Sequence, residues 1–188
     1  MSKIRIVLAL FVSLYASVLF AQTPASADQV LGNAKAQATQ EHKIIFLVFG
    51  ASWCGPCHQL DDFLADPAMR PVIEKYFVVA KLHVDEKNGK HPELESPGGL
   101  DLAGKFGGTN SKGQMNGVPY LVFLSATGEP IVNSNRPVAG TPGGSNIGYP
   151  AEPYEIDWFM VMLKKSVPQM SSAESQAIES WLRKASAK

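Results

Sequence analysis

The chain has 188 residues, 45% hydrophobic and 18% charged, with 17 basic residues balanced by 17 acidic ones. That length suits a single domain able to bury a core, and the charge balance makes no electrostatic case for a nucleic acid or an anionic surface as partner.

Lys3 and Arg5 precede an apolar run from Ile6 to Phe20, which ends in small residues at Ala21 and again at Ala25-Ser26-Ala27. This is the pattern of a secretory signal peptide over residues 1–21, with cleavage as late as 27. The run is short for a spanning helix and lacks a basic stop-transfer flank. No cysteine lies near either cleavage point, which argues against a lipid anchor. An uncleaved anchor is the competing reading. The expectation is a periplasmic or otherwise extracytoplasmic protein without stable membrane insertion after cleavage, its folded domain spanning 28–188.

Asp28 to Lys43 reads as a helix with Leu31, Ala34 and Ala38 on one side. Ile44 to Phe49 is an apolar run suited to a buried central strand. Gly50 and Ala51 end it, and Trp53-Cys54-Gly55-Pro56-Cys57 follows. Leu60, Phe63 and Leu64 then fall at helical spacing. Asp66-Pro67 reads as an N-cap with proline at the first helical position, restarting a helix through Val72, Ile73 and Tyr76. Phe77 to Val84 is a second strand. Asp85 to Asn116 is a long irregular segment with a short helix around Leu100 to Phe106, and loops of that length are usually functional or mobile. Pro119 to Leu124 resumes strand character, and Thr127-Gly128 turns the chain into a short strand at Pro130 to Val132. Asn133 to Pro150 reads as another Gly/Pro-rich loop. Two helices close the chain, Tyr154 to Val167 and one from Ser172, the latter with a Ser171/Glu174 capping box and a buried face of Ile178, Trp181 and Leu182. This order gives an α/β fold with a mixed central sheet flanked by helices.

The chemistry concentrates in the two cysteines, the only ones in the chain. A bridge between residues three apart closes too small a loop to restrain the unfolded chain much, so a structural staple is the weaker reading. C-x-x-C between a buried strand and a helix places Cys54 at the helix N-terminus, where unpaired N–H groups and the helix dipole stabilise a thiolate. Cys57, one turn further in, is expected to be the more shielded. Cys54 would attack a partner disulfide, and Cys57 would then attack Cys54 to release the reduced partner.

The motif Trp53-Cys54-Gly55-Pro56-Cys57 matches that of the thioredoxin superfamily residue for residue. Val78 to Asp85 looks like the third strand of that fold, and Gly117-Val118-Pro119 resembles the loop carrying its cis-proline. The run from Cys57 through Asp66-Pro67 to Phe77-Val78 is closer to a branch of exported thioredoxin-like domains that includes the C-terminal domain of the membrane reductant conduit DsbD. The similarity covers roughly Ile44 to Val132, so the two long loops and the last helix are additions to the thioredoxin-like fold. It implies a protein-disulfide reductase working through Cys54 and Cys57. Trp53, Val118 and a cis Pro119 would form the surface that binds the partner strand, partly by β-augmentation. Gly55-Pro56 resembles the reducing members, whose electrons would come from a membrane donor protein and go to a disulfide-containing exported protein. No cofactor beyond the cysteine pair is implied. An oxidase or isomerase is the alternative, as is a partner-binding adaptor.

One departure stands out: the family's buried aspartate before the motif is replaced by Val48, which leaves Lys81 without its usual companion. Asp61, four residues after Cys57 and on the same helical face, is a candidate proton relay or electrostatic modifier together with Lys81. The competing reading is a solvated acid beside Asp62.

Cys54 to His58 also satisfies the C-x-x-C-H pattern of c-type haem attachment, with Met69 or Met115 as nominal axial ligands. The flanking strand, helix and Val118-Pro119 argue against it. A zinc site would need two further ligands, and His42, His58, His83 and His91 make no pair at finger spacing.

Overall fold

The computed structural model describes residues 24–89 and 91–186, so the expected export leader over 1–21 lies outside the described residues. Helix α1 (Ala27–Glu41) starts at a capping box in which Ser26 and Gln29 exchange side-chain and backbone hydrogen bonds. It stops at His42, which takes a left-handed conformation. Its Ala34 and Ala38 are buried, and the small side chains let the helix lie close on the sheet.

The apolar run after α1 becomes strand β1 (Ile44–Gly50), buried at Ile45 through Phe49 as a strand covered on both faces must be. The motif opens helix α2 (Gly55–Ala65), and after a turn comes α3 (Arg70–Tyr76). Here the expected Asp66-Pro67 N-cap is corrected. Asp66 ends α2, its carboxylate accepts from the Ala68 N–H at 2.8 Å, and its carbonyl accepts from Arg70 at 2.8 Å. The acid therefore shapes a turn, and the helix resumes only at Arg70, with Pro71 in its first turn.

Strand β2 (Phe77–His83) pairs in parallel with β1, from Ile44 opposite Phe77 to Val48 opposite Lys81. The segment from Asp85 carries two single turns at Glu86–Gly89 and Pro92–Leu94 and helix α4 (Gly99–Lys105), the short helix expected there. Strand β3 (Tyr120–Leu124) runs antiparallel to β1, and β4 (Pro130–Asn133) antiparallel to β3. The sheet order is β2-β1-β3-β4, a mixed sheet in an α/β fold.

Asn133 to Pro150 is not the plain loop expected from its glycines and prolines. It holds a hairpin of β5 (Asn135–Val138) and β6 (Thr141–Asn146). Gly144 is required there: its φ is +78°, and a Cβ would lie 2.6 Å from the Arg136 carbonyl oxygen. The chain ends in α5 (Pro153–Ser166) and α6 (Ser172–Ser186).

The alternation of β1 divides the core in two. Phe46 and Val48 face α2, α3, α5 and α6, where Phe46, Phe63, Phe77, Phe123 and Phe159 make an aromatic cluster. Ile45, Leu47 and Phe49 face α1 and α4. The last helix is an integral layer. Ile178 and Leu182 are fully buried, and the Trp181 ring lies 5.1 Å from that of Phe63. Glu174 fastens it to α3, accepting from Lys75 Nζ at 2.7 Å and the Tyr76 hydroxyl at 2.8 Å, while the expected capping box forms with Ser171. Among the described residues no helix is long and apolar enough to cross a membrane.

Candidate active site

Strand β1 delivers the chain to the edge of the core at Gly50, and the turn Ala51–Cys54 carries it into α2. Cys54 is the N-cap of that helix, and its Sγ accepts the Cys57 N–H at 3.1 Å. The two cysteines form a disulfide with Cα atoms 5.2 Å apart. Cys57 packs against the end of β1, since a Cβ on Gly50 would lie 3.4 Å from its sulfur.

Opposite the sulfurs sits the loop Gly117-Val118-Pro119. The Val118–Pro119 peptide bond is cis, as the sequence reading expected. Gly117 has a φ of +90°, which suits glycine. The Val118 carbonyl oxygen lies 3.4 Å from Cys54 Sγ. This loop roofs Cys54, so one expectation is corrected: in the disulfide form Cys54 is 2% exposed and Cys57 7%, making Cys54 the more covered. Trp53 stands out at 46% exposure and donates from its indole N–H to the Asp85 carbonyl at 3.1 Å. With Pro56, Val118 and Met115, it lines a cleft of about 310 Å³ beside the disulfide.

Residues 31–134 match the family model described as a thioredoxin-like domain.

The chain belongs to the thioredoxin-like family.

The match ends at Ser134, so the β5–β6 hairpin and helices α5 and α6 lie beyond the region that defines this thioredoxin-like domain. No curated protein matches the chain. Among solved structures, it is similar to a disulphide isomerase from Xylella fastidiosa Temecula1, at 22% identity over 82% of this chain and 87% of that one, with a TM-score of 0.44. It is also similar to a DsbH oxidoreductase, at 18% identity over 84% and 94% of the two chains, TM-score 0.43. A third neighbour is the oxidised DsbD C-terminal domain from Neisseria meningitidis, at 19% identity over 59% and 86%, TM-score 0.38. A thioredoxin-like domain carrying this C-x-x-C disulfide points to a thiol–disulfide oxidoreductase.

The residues singled out around the departure at Val48 do meet. Val48 is buried and opposite Lys81 in register, and Lys81 forms an ion pair with Asp61. Both side chains are about half exposed, so the pair lies at the surface. The remaining candidates are spread out. Met69 is buried among core residues, while Met115 lines the cleft beside Cys54. His58 Nε2 donates to the Ser52 carbonyl at 2.9 Å, and His91 pairs with Glu93 at 3.1 Å. Among the described residues no three His, Cys, Asp or Glu side chains group as metal ligands.

Two groups escaped the sequence reading. Glu86 is wholly buried: its carboxylate accepts from the Ser52 N–H at 2.7 Å, the Ser52 hydroxyl at 2.6 Å and His83 Nδ1 at 2.7 Å. Burial pushes its acidity constant toward the neutral acid, but the Ser52 and His83 hydrogen bonds outweigh that and hold the carboxyl below its ordinary range. Asn146, at the end of β6, grips the proline loop. Its amide nitrogen donates toward the carbonyls of Gly117 at 3.2 Å and Pro119 at 3.1 Å, with Asn116 at 3.4 Å. Its oxygen accepts from the buried Ser134 hydroxyl at 2.7 Å. A Glu in a Lys/Asn-rich loop and an Asn in a Gly-rich one carry no pattern of their own.

Proposed function

We propose that this chain is an exported protein-disulfide reductase, cycling between the disulfide seen here and a Cys54/Cys57 dithiol. The observation that carries this reading is the Cys54–Cys57 pair at the start of α2 facing the Val118 carbonyl across an apolar cleft. In the reduced form the Cys54 thiolate, held by the Cys57 N–H and the start of α2, attacks a partner disulfide. A Cys54–partner disulfide forms, and the other partner sulfur leaves as a thiolate and takes up a proton. Cys57 then loses its proton and attacks Cys54 Sγ, which restores the Cys54–Cys57 bond and releases the second partner thiol. Two electrons pass to the partner, and a dithiol donor, a membrane protein on this reading, must return them.

Trp53, Val118 and Pro119 bind the partner strand, with Val118 offering its backbone for β-type pairing. Met115 lines the cleft from the first long segment and Asn146 ties the second to the proline loop, and on this reading both segments select the partner. Asp61, one turn after Cys57, receives the Cys57 proton with Lys81 as its counter-charge. Asp61→Asn should then slow resolution of the mixed disulfide severalfold, and single-turnover rates equal to wild type would remove Asp61 from the mechanism. The export leader over 1–21 fits the α1 capping box, because cleavage after Ala21 keeps Ser26, whereas cleavage after Ala27 deletes it.

The test is trapping. Cys57→Ala should accumulate proteins disulfide-linked to Cys54 in the exported fraction, and Cys54→Ser should abolish both trapping and disulfide reduction. A wild type that oxidises reduced proteins but cannot reduce disulfides with a dithiol donor present reverses the direction. Failure of Cys57→Ala to trap any partner rejects the enzyme in favour of an adaptor.

A further inference from the structure

Glu86 is a fully buried charged side chain next to the redox motif, and the exchange chemistry above gives it no role. Both oxygens are committed to the turn that presents Cys54: one to the Ser52 N–H, the other to the Ser52 hydroxyl. The Ser52 carbonyl in turn receives His58 from the first turn of α2. The residue before Glu86 completes the hold, since the Asp85 carbonyl accepts the Trp53 indole N–H. The loop itself is pinned from behind, Glu95 accepting the N–H groups of Asp85 at 3.1 Å and Glu86 at 2.8 Å. Asp85 has a φ of +61°, a left-handed conformation that Asp tolerates. Strand end, motif and loop are therefore joined around one carboxylate.

We propose that Glu86 is a positioning residue of the redox pair, locking the Ser52–Trp53 turn and setting a fixed negative charge behind Cys54 that keeps the pair on the reducing side. The inference rests on the redox reading and adds to it what sets the poise. Two residues span at most about 7 Å, so the carboxylate bound to Ser52 lies within roughly 10 Å of Cys54. A unit charge at that range in a partly buried setting changes an ionisation or exchange equilibrium by roughly a factor of ten. A negative charge disfavours the Cys54 thiolate and so destabilises the reduced state. Pairs whose reduced form is destabilised are the stronger reductants. His83 Nδ1, half exposed, bonds the same carboxylate, and the Glu95 carboxylate behind the loop adds to the negative charge.

Glu86→Gln tests this without emptying the site. The amide oxygen can accept the Ser52 N–H, and the amide nitrogen can donate to the Ser52 hydroxyl. The full chain is equilibrated with glutathione buffers, and thiolate absorbance is followed against pH. Glu86→Gln should shift the exchange equilibrium roughly tenfold toward the dithiol, about 30 mV for a two-electron couple, and raise the thiolate fraction. Glu86→Asp, which keeps the charge, should stay within threefold of wild type. A folded Glu86→Gln with wild-type equilibrium and thiolate fraction overturns the proposal, as does Glu86→Asp shifting as far as Glu86→Gln. If Glu86→Gln does not fold, Ser52 serves. Ser52→Ala should slow attack by Cys54 on a peptide disulfide severalfold, and Ser52→Thr, which keeps the hydroxyl, should restore it; equal rates for the two overturn the proposal. A wild type that never exchanges with glutathione defeats the redox reading instead, so the two failures are distinguishable.

Discussion

Asn146 offers a direct test of how the proline loop is held. Replacing it with alanine removes an amide that donates toward the carbonyls of Asn116, Gly117 and Pro119 and accepts from Ser134 and Gly148. The amide has two protons for three carbonyls, so two donated bonds are lost along with two accepted ones. At about 1 kcal/mol each the sum would approach 4 kcal/mol. Asn146 is partly exposed, however, and water can replace some partners, which brings the expected loss to roughly 1–3 kcal/mol. The buried Ser134 hydroxyl loses its acceptor but keeps the Leu121 N–H as a donor, so the sheet edge is weakened and stays intact. Asn146→Asp should cost more than alanine, because it points a carboxylate oxygen at three carbonyl oxygens. Urea denaturation gives the stability, and stopped-flow formation of the mixed disulfide in a Cys57→Ala background gives the reactivity. Both variants should react more slowly with a peptide disulfide at matched folded fraction. If Asn146→Asp matches wild type in stability and rate, the loop is held by other means and the reasoning fails.

Glu174 predicts a pH effect. The Lys75 ammonium, then the Ser171 and Tyr76 hydroxyls, pull its carboxyl from the ordinary 4.5 down to about 2. A carboxyl depressed in the folded state contributes stability that is full above its unfolded value and is lost as pH falls through 4 toward 2. Glu174→Gln should flatten that part of the stability curve, and parallel acid titrations of variant and wild type would contradict it. Phe159 tests whether α5 belongs to the domain. Its ring is fully buried, 6.2 Å from both Phe63 and Phe123, so Phe159→Ala should destabilise the whole fold by about 3–5 kcal/mol in one cooperative transition. A loss below 1 kcal/mol, or a separate early transition for the C-terminal helices, would make α5 an appendage.

What could be read in the sequence was whatever a short local pattern encodes. The apolar run of β1, the helical spacing after Cys57 and the Thr127-Gly128 turn each matched the structure to within a residue or two. Asp61 and Lys81 form an ion pair because helix spacing and strand register, both periodic, bring them to the same edge. The β5–β6 hairpin was missed for the opposite reason. Thr141–Asn146 has no apolar alternation, and its strand character comes from pairing with β5 and from Asn146 bonding the proline loop, which are tertiary effects. Asp66-Pro67 misled because an aspartate before a proline favours a turn as readily as a cap, and here the backbone made the turn first. Glu86 was invisible because burial of a lone acid depends on donors from residues far along the chain.

The clamp at Asn146 also sets an order of events. A chain is made from its N-terminus, so Cys54 and Cys57 exist well before the residue that grips the loop facing them. Until β6 has been added, the pair is complete as chemistry but has no fixed wall on its partner side. Full-length Asn146→Ala should therefore discriminate less between small and large disulfides than wild type, because its pair keeps the same chemistry behind a looser wall.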